Sequence, residues 1–331
     1  MKRRFFLFIA FLALLPILYV GGRFALFLTR PVAPHIERTV VVPAGTSFGR
    51  VAEQLHGAGI VASPAQFKLL ARLRGDAPKI QAGEYLFVEP ATPGQVLDRL
   101  VAGDIILLRL TVPEGFSLFE IAGKLQRLEF GDMSSFLSLT TDKEFIRSLG
   151  IEAPSLEGYL FPETYTFGSR TTSRQLLTSM VGQFKNHTPP ALLQQAEKQG
   201  LDLHQLVTLA SIIQKEAGNN REMPLISAVF HNRLNMGMPL QADPTVIYGI
   251  KDFDGNLTRK HLLDPTPYNT YRIPGLPHGP ITNPGSEALQ AAANPASVNY
   301  LYFVARGDGS HQFSATLREH NAAVRRYQLR R

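Results

Sequence analysis

The chain opens on MKRR and then an unbroken apolar run, FFLFIAFLALLPILYVGG, with no charged residue from Phe5 to Gly22. Apolar residues continue past Arg23 to Leu28. About 20 apolar residues in a helix span a bilayer, so the pattern predicts a transmembrane anchor within residues 1–28. Lys2, Arg3 and Arg4 precede the run. By the positive-inside rule they keep the N-terminus cytoplasmic and send the rest of the chain to the far side. A cleaved signal peptide is the competing reading; no clean A-x-A cleavage site follows the run, which favours the retained anchor. Residues 29–38, TRPVAPHIER, are polar and proline-bearing and read as a juxtamembrane linker.

Beyond the linker the pattern repeats. VPAGTSFGRVAEQL at 42–55 and VPEGFSLFEIAGKL at 112–125 align without a gap, at a constant offset of 70 residues. Each copy reads as a strand, a Pro-Gly turn, a serine near a helix start and a helix with apolar 3–4 spacing. Two copies are too few for a solenoid. Between them, 65–74 and 93–101 read as helices and GEYLFVEP as a strand. From residue 133 the helices dominate, at 173–185, 191–199, 203–217, 224–235 and 286–293. A strand at 300–305 and a basic helix at 316–329 close the chain. The stretch 264–285 has no period and is rich in Pro, Gly, Tyr, Asn and Thr. A loop of that length in a compact domain is functional or disordered, and its aromatics argue against disorder. The fold class is α+β: an N-terminal transmembrane helix, a small α+β region at 39–132 and a larger mixed helical and strand domain at 133–331.

Composition narrows the chemistry. With 331 residues, 44% of them hydrophobic, the chain can bury a sizeable core. The net charge of +7 suits an anionic partner such as a membrane surface or an acidic polymer. No basic stretch interleaved with aromatics stands out, so nucleic acid is not assigned as a partner. The absence of cysteine excludes disulfides, thiolate nucleophiles and Cys-ligated zinc. Histidines 231, 261, 278, 311 and 320 show no metal-site spacing, and no metal or cofactor is assigned.

Candidate chemistry falls on LASIIQKEAGN, residues 209–219. On a helical wheel Leu206, Leu209, Ala210, Ile213 and Ala217 form an apolar stripe. Glu216 lies on the stripe's edge, whereas Lys215 points away. Gly218 reads as a C-cap. Burial and the negative helix end both disfavour the carboxylate. Both raise its pKa, the condition a general acid needs near neutral pH. An exposed acid at a frayed helix end is the alternative, and the wheel alone leaves both readings open.

Several further segments carry a resemblance: SLEGYLFPETY (155–165), LASIIQKEA (209–217), VFHNRL (229–234), LQADPTVIYG (240–249), TPYNTYRIPGLPHGPITNPG (266–285) and YLYFVARGDGSHQFSATLREHN (300–321). Through them the chain resembles the MltG/YceG family of membrane-anchored endolytic murein transglycosylases, from the anchor to the C-terminus. The resemblance implies a LysM-like character for the repeat region, with glycan contact, and a catalytic domain at 133–331. It places the family's catalytic glutamate on Glu216. Many members carry a second glutamate two residues earlier; here that position is Gln214. It implies substrate contacts among Asn232, Gln241, Asp243, Tyr248, Tyr268, Asn269 and Tyr271, since such side chains stack on and hydrogen-bond sugars. The implied partners are peptidoglycan glycan strands and the inner membrane, with peptidoglycan synthases as candidate protein partners. The implied location is a single pass through the inner membrane with the catalytic domain outside the cytoplasm.

Other acids have their own readings. Glu222 is explained as an acid in the first turn of the next helix, and Asp243 as a turn or cap residue. Glu157 and Glu163 either line a cleft or cap. His311 and His320 match the family pattern, but spacing gives them no role. Two other functions stay open: a hydrolytic muramidase using Asp243 or Glu222 as second carboxylate, and a non-catalytic wall-binding division protein.

Overall fold

The structure, a computed structural model, describes residues 2–32, 37–131 and 133–329; the side chains of residues 2–13 and 17 lie outside that description. Along the chain run α1 (Lys2–Thr29), β1 (Arg38–Val42), α2 (Phe48–Gly57), α3 (Pro64–Arg74), β2 (Gly83–Phe87), α4 (Pro93–Ala102), β3 (Leu107–Thr111) and α5 (Leu118–Arg127). There follow α6 (Met133–Leu139), α7 (Lys143–Ser148), β4 (Thr164–Gly168), α8 (Ser173–His187), α9 (Pro190–Lys198), α10 (Leu203–Glu216) and α11 (Met223–Asn235). The last are α12 (Asp243–Tyr248), α13 (Arg259–Leu263), α14 (Ser286–Ala293), β5 (Tyr302–Ala305), β6 (His311–Ser314) and α15 (Leu317–Tyr327). The strands pair as β1–β2, β3–β4 and β5–β6. The fold is thus mixed α+β. Two compact units form, Met1–Leu108 with Thr166–Thr171, and Arg109–Tyr165 with Thr172–Arg331.

In the smaller unit β1 and β2 pair antiparallel, with Arg38 opposite Phe87 and Val42 opposite Gly83. Strand side chains alternate between faces, so Val40 and Val42 turn inward with Tyr85 and Phe87. They meet Val51, Ala52 and Leu55 of α2, Phe67 of α3 and Val96, Leu97 and Leu100 of α4 in one core. Phe27, near the end of α1, is buried in this core, with Phe24 and Leu28 partly so. Leu14, Leu15, Leu18, Tyr19 and Val20 of α1 are exposed. Among the described residues no helix is long and apolar enough to cross a membrane. Half of the anchor expected at 1–28 falls on residues whose side chains are not described. Of the expected linker, residues 33–36 lie outside the described residues, and Val32 forms an isolated bridge with Ala91.

The repeat is a structural repeat. Gly45 and Gly115 hold the same turn at φ 76° and 78°, a left-handed conformation that glycine adopts at little cost. Val51, Ala52 and Leu55 are buried in one copy and Ile121, Ala122 and Leu125 in the other. The second copy, however, is built into the larger unit. The Gly115 N–H donates to the Asn283 carbonyl at 2.9 Å, and the Leu118 N–H to the Glu157 carboxylate at 3.1 Å.

In the larger unit α10 packs against α14, α11, α12 and α9. Those neighbours surround it. The apolar stripe read on the wheel is therefore too narrow: every residue from Leu206 to Ile213 is buried, Thr208 and Ser211 included.

Candidate active site

The start of α10 is fixed by a reciprocal cap: Asp202 accepts from the Gln205 N–H at 2.8 Å, and the Gln205 side chain accepts from the Asp202 N–H at 2.9 Å. Thr208 and Ser211 satisfy their hydroxyls on the backbone of the preceding turn, at 2.7 Å each. Ser211 also accepts from the Ile281 N–H at 3.1 Å, tying the long loop to the helix. The helix ends on Glu216. Its C-cap is Ala217, in extended conformation, and not Gly218 in a left-handed one. Gly218 is needed for another reason: a Cβ there would collide with the Gly309 carbonyl oxygen.

Glu216 is half-buried and lines a cleft of about 250 Å³. Arg233 of α11 and Asp243, the first residue of α12, line it with Leu240 and Gln241 from the intervening loop. Tyr271 of the long loop, Phe303 of β5 and His320 of α15 complete the wall. Burial is the main cause that pushes the Glu216 carboxyl up to about 7; the like charge of Asp243 adds to it and the Arg233 cation opposes it. Tyr271 donates its hydroxyl proton to Asp243 Oδ1 at 2.6 Å. Arg233 is itself buried. Its Nε donates to the Leu301 carbonyl and its Nη1 to the Leu240 carbonyl, at 2.8 and 2.7 Å, and its guanidinium lies 5.4 Å from the Tyr302 ring centroid. His320 stacks on Tyr302 at 5.2 Å. Burial first, and then the Arg233 cation, lowers the His320 pKa.

Gln241 has φ 51°, uncommon for a residue with a side chain. Thr270 holds that corner: its carbonyl accepts from the Gln241 N–H at 3.1 Å and its hydroxyl from the Ala242 N–H at 3.0 Å. Strain that the surroundings over-determine is a feature of functional sites.

Of the residues expected to contact substrate, Gln241, Asp243 and Tyr271 converge on Glu216. Tyr248 and Tyr268 do not. They meet each other edge to face at 4.8 Å, and the Tyr248 hydroxyl donates to Glu157 at 2.9 Å. Glu157 is 1% exposed. It also accepts from Leu118 N and Asn283 Nδ2, and burial raises it to about 8. It caps α5 and does not line the cleft. Asn232 and Asn269 hold backbone. Asn232 donates to the Val298 and Tyr300 carbonyls, both at 2.9 Å. Asn269, fully buried, donates to the His261, Leu262 and Asp264 carbonyls and accepts from Tyr271 N at 3.0 Å. Gln214 accepts from the Gly285 N–H at 2.9 Å.

Glu222 is more than a first-turn acid: both its oxygens are bound by His311. Arg233, Leu240 and Phe303 were not singled out by sequence reasoning. The one available signal was an arginine in the otherwise apolar face of VFHNRL. Among the described residues no cluster of three or more His, Asp or Glu side chains is placed to hold a metal ion.

The model of the YceG-like family matches residues 40–326. An endolytic murein transglycosylase of Bacillus subtilis is 32% identical over 330 residues, covering 94% of this chain and 91% of that protein. One from Streptococcus pneumoniae serotype 2 is 29% identical, covering 90% of this chain and 60% of that protein. The crystal structure of a YceG-like protein from Listeria monocytogenes superposes with a TM-score of 0.60 at 32% identity, over 86% of this chain and 98% of that one.

Proposed function

The chain belongs to the YceG-like family, and from that premise we propose that it is an endolytic murein transglycosylase, a lyase that cuts peptidoglycan glycan strands internally. The observation that carries the assignment to a site is Glu216: a carboxyl raised to about 7 in the lining of a polar cleft, in a segment that matches the family. Glu216 donates its proton to the oxygen bridging N-acetylmuramic acid and N-acetylglucosamine. The resulting carboxylate takes the proton of the muramyl 6-hydroxyl. That oxygen closes on C1 as the glycosidic bond breaks, which leaves a 1,6-anhydro end and a free hydroxyl on the departing sugar. A pKa near the working pH lets one group act in both directions.

Asp243 and Arg233 bracket this residue with opposite charges. Asp243 favours the protonated form that starts the reaction, and Arg233 favours the carboxylate that follows. Gln241 and Tyr271 present polar atoms to the sugar from the same wall. No second acid at glycosidase spacing is required. Asp243 in the cleft supports one further reading, a hydrolytic muramidase; Glu222 does not, because His311 engages it outside the cleft lining. Mass spectrometry of products from purified protein and glycan strands tests the proposal. Anhydro ends are expected; reducing muramic acid ends would replace it with hydrolysis.

The remaining parts take supporting roles in this reading. The uncharged run Phe5–Gly22, with exposed leucines at 14, 15 and 18, serves as the inner-membrane anchor and puts the catalytic unit outside the cytoplasm. The LysM-like region at 39–132 positions the glycan strand. Peptidoglycan synthases, which make the strands, are the expected protein partners.

A further inference from the structure

Glu216 is the last residue of its helix, and the chain turns extended at Ala217. Helix ends leave backbone groups unpaired and tend to fray. An acid in that position needs something beyond the helix to hold it.

The segment behind it is held at three points within five residues. At Gly218 the backbone runs so close to the Gly309 carbonyl that no Cβ fits. Asn219 Nδ2 donates to the same Gly309 carbonyl at 3.1 Å. Glu222 accepts from the His311 N–H at 3.1 Å through Oε1 and from His311 Nδ1 at 2.8 Å through Oε2. The Glu222 and His311 side chains are only 15% and 10% exposed. Gly309 and His311 belong to the turn and second strand of the β5–β6 hairpin, whose first strand supplies Phe303 to the cleft wall. The Phe303 ring meets His311 edge on at 5.4 Å.

We propose that the β5–β6 hairpin is a positioning clamp for Glu216, in which His311 grips Glu222 while Gly218 and Asn219 seat on Gly309. The proposal rests on the reading of Glu216 as the acid. Neither Glu222 nor His311 touches the reacting atoms; both act through the chain that follows Glu216. The clamp makes the acid and the Phe303 wall one piece, so their separation stays fixed when a sugar enters. A displacement of 1 Å at a reacting group can cost about 10²-fold in rate.

The test uses the full chain and three variants, Glu222→Ala, Gly218→Ala and Glu222→Gln. Steady-state kinetics on glycan strands is paired with hydrogen exchange at residues 217–222. The two alanine variants are expected to lose between about tenfold and 10²-fold in kcat with KM within about twofold, and to exchange faster at 217–222. Glu222→Gln should recover most of the rate, because its amide oxygen still accepts from the His311 N–H and its NH2 can donate to Nδ1 of the other tautomer. If Glu222→Ala does not fold, Asn219→Ala removes one bond of the clamp and should move kcat and exchange in the same direction by less. An unchanged kcat beside faster exchange would overturn the clamp. So would losses of kcat that follow Tm equally in the alanine and glutamine variants. A wild-type chain that releases no anhydro product would strike the Glu216 reading instead, and exchange at 217–222 would still report whether the hairpin holds that segment.

Discussion

At the scale of single residues, Glu216 owes its raised pKa first to burial and then to Asp243. Two consequences can be measured. The group must be protonated to start the reaction, so kcat/KM should fall about tenfold per pH unit above pH 7. Asp243→Asn removes the like charge, and the alkaline limb should move to lower pH; a limb that stays in place would remove Asp243 from this role. The second consequence is a stability slope. Folded Glu216 keeps its proton up to about pH 7, whereas the unfolded chain releases it near 4.5. Between those values the folded state binds more protons, so stability falls as pH rises. Glu216→Gln should remove that slope, and its Tm relative to wild type should be higher at pH 8 than at pH 4.5. For Glu216 the helical period left two readings open, a partly buried acid and an exposed one, and the resemblance chose between them. Asp243 and Tyr271 came from the resemblance. Arg233 was not legible, since its role depends on carbonyls of Leu240 and Leu301 that no local pattern brings together. Asn232 and Asn269 show the converse: sugar-binding residue types whose amides are used up by the backbone.

At the scale of elements, the periodic helices were legible almost to the residue. Examples are the helix at Ser286–Ala293, matched at both ends, and Leu203–Glu216, one residue shorter than expected, whereas the strand expected at 300–305 begins only at Tyr302. The short ones were not. α12 has six residues and α13 five, too few for a period of 3.6 to register, and tertiary contacts define them. α12 carries Asp243 at its start and Tyr248 at its end, and Tyr248 is bound to Glu157. Glu157 in turn caps α5 and receives Asn283. Glu157→Ala would leave the Leu118 N–H, the Tyr248 hydroxyl and the Asn283 amide without this partner. A loss of about 2–4 kcal/mol is expected from such a buried network, read as a fall in Tm. A variant within experimental error of wild type would mean that water replaces the carboxylate. The repeat was legible in register but not in its distribution. Val42–Leu55 falls in the small unit and Val112–Leu125 in the large one, where α5 packs against α6. A chain begun at residue 133 would lose α5 and should unfold at lower temperature than one begun at residue 109.

At the scale of the whole molecule, the apolar run and the basic MKRR predict that a reporter fused after Arg331 is active only outside the cytoplasm. Cytoplasmic activity would contradict the orientation, and a mature form starting after Leu28 would contradict the anchor. With catalysis assigned to the larger unit, loss of strand affinity should follow damage to the smaller one while anhydro ends still form. In the proposed reaction one acid, Glu216, performs both proton transfers. Its most direct test counts 1,6-anhydro ends released per enzyme from intact glycan strands by wild type and by Glu216→Gln, with near-identical circular dichroism as the folding control. The prediction is a drop of about 10²-fold or more in the variant, in the range attributed to general acid–base catalysis. Anhydro ends released by folded Glu216→Gln at a rate near wild type would contradict it.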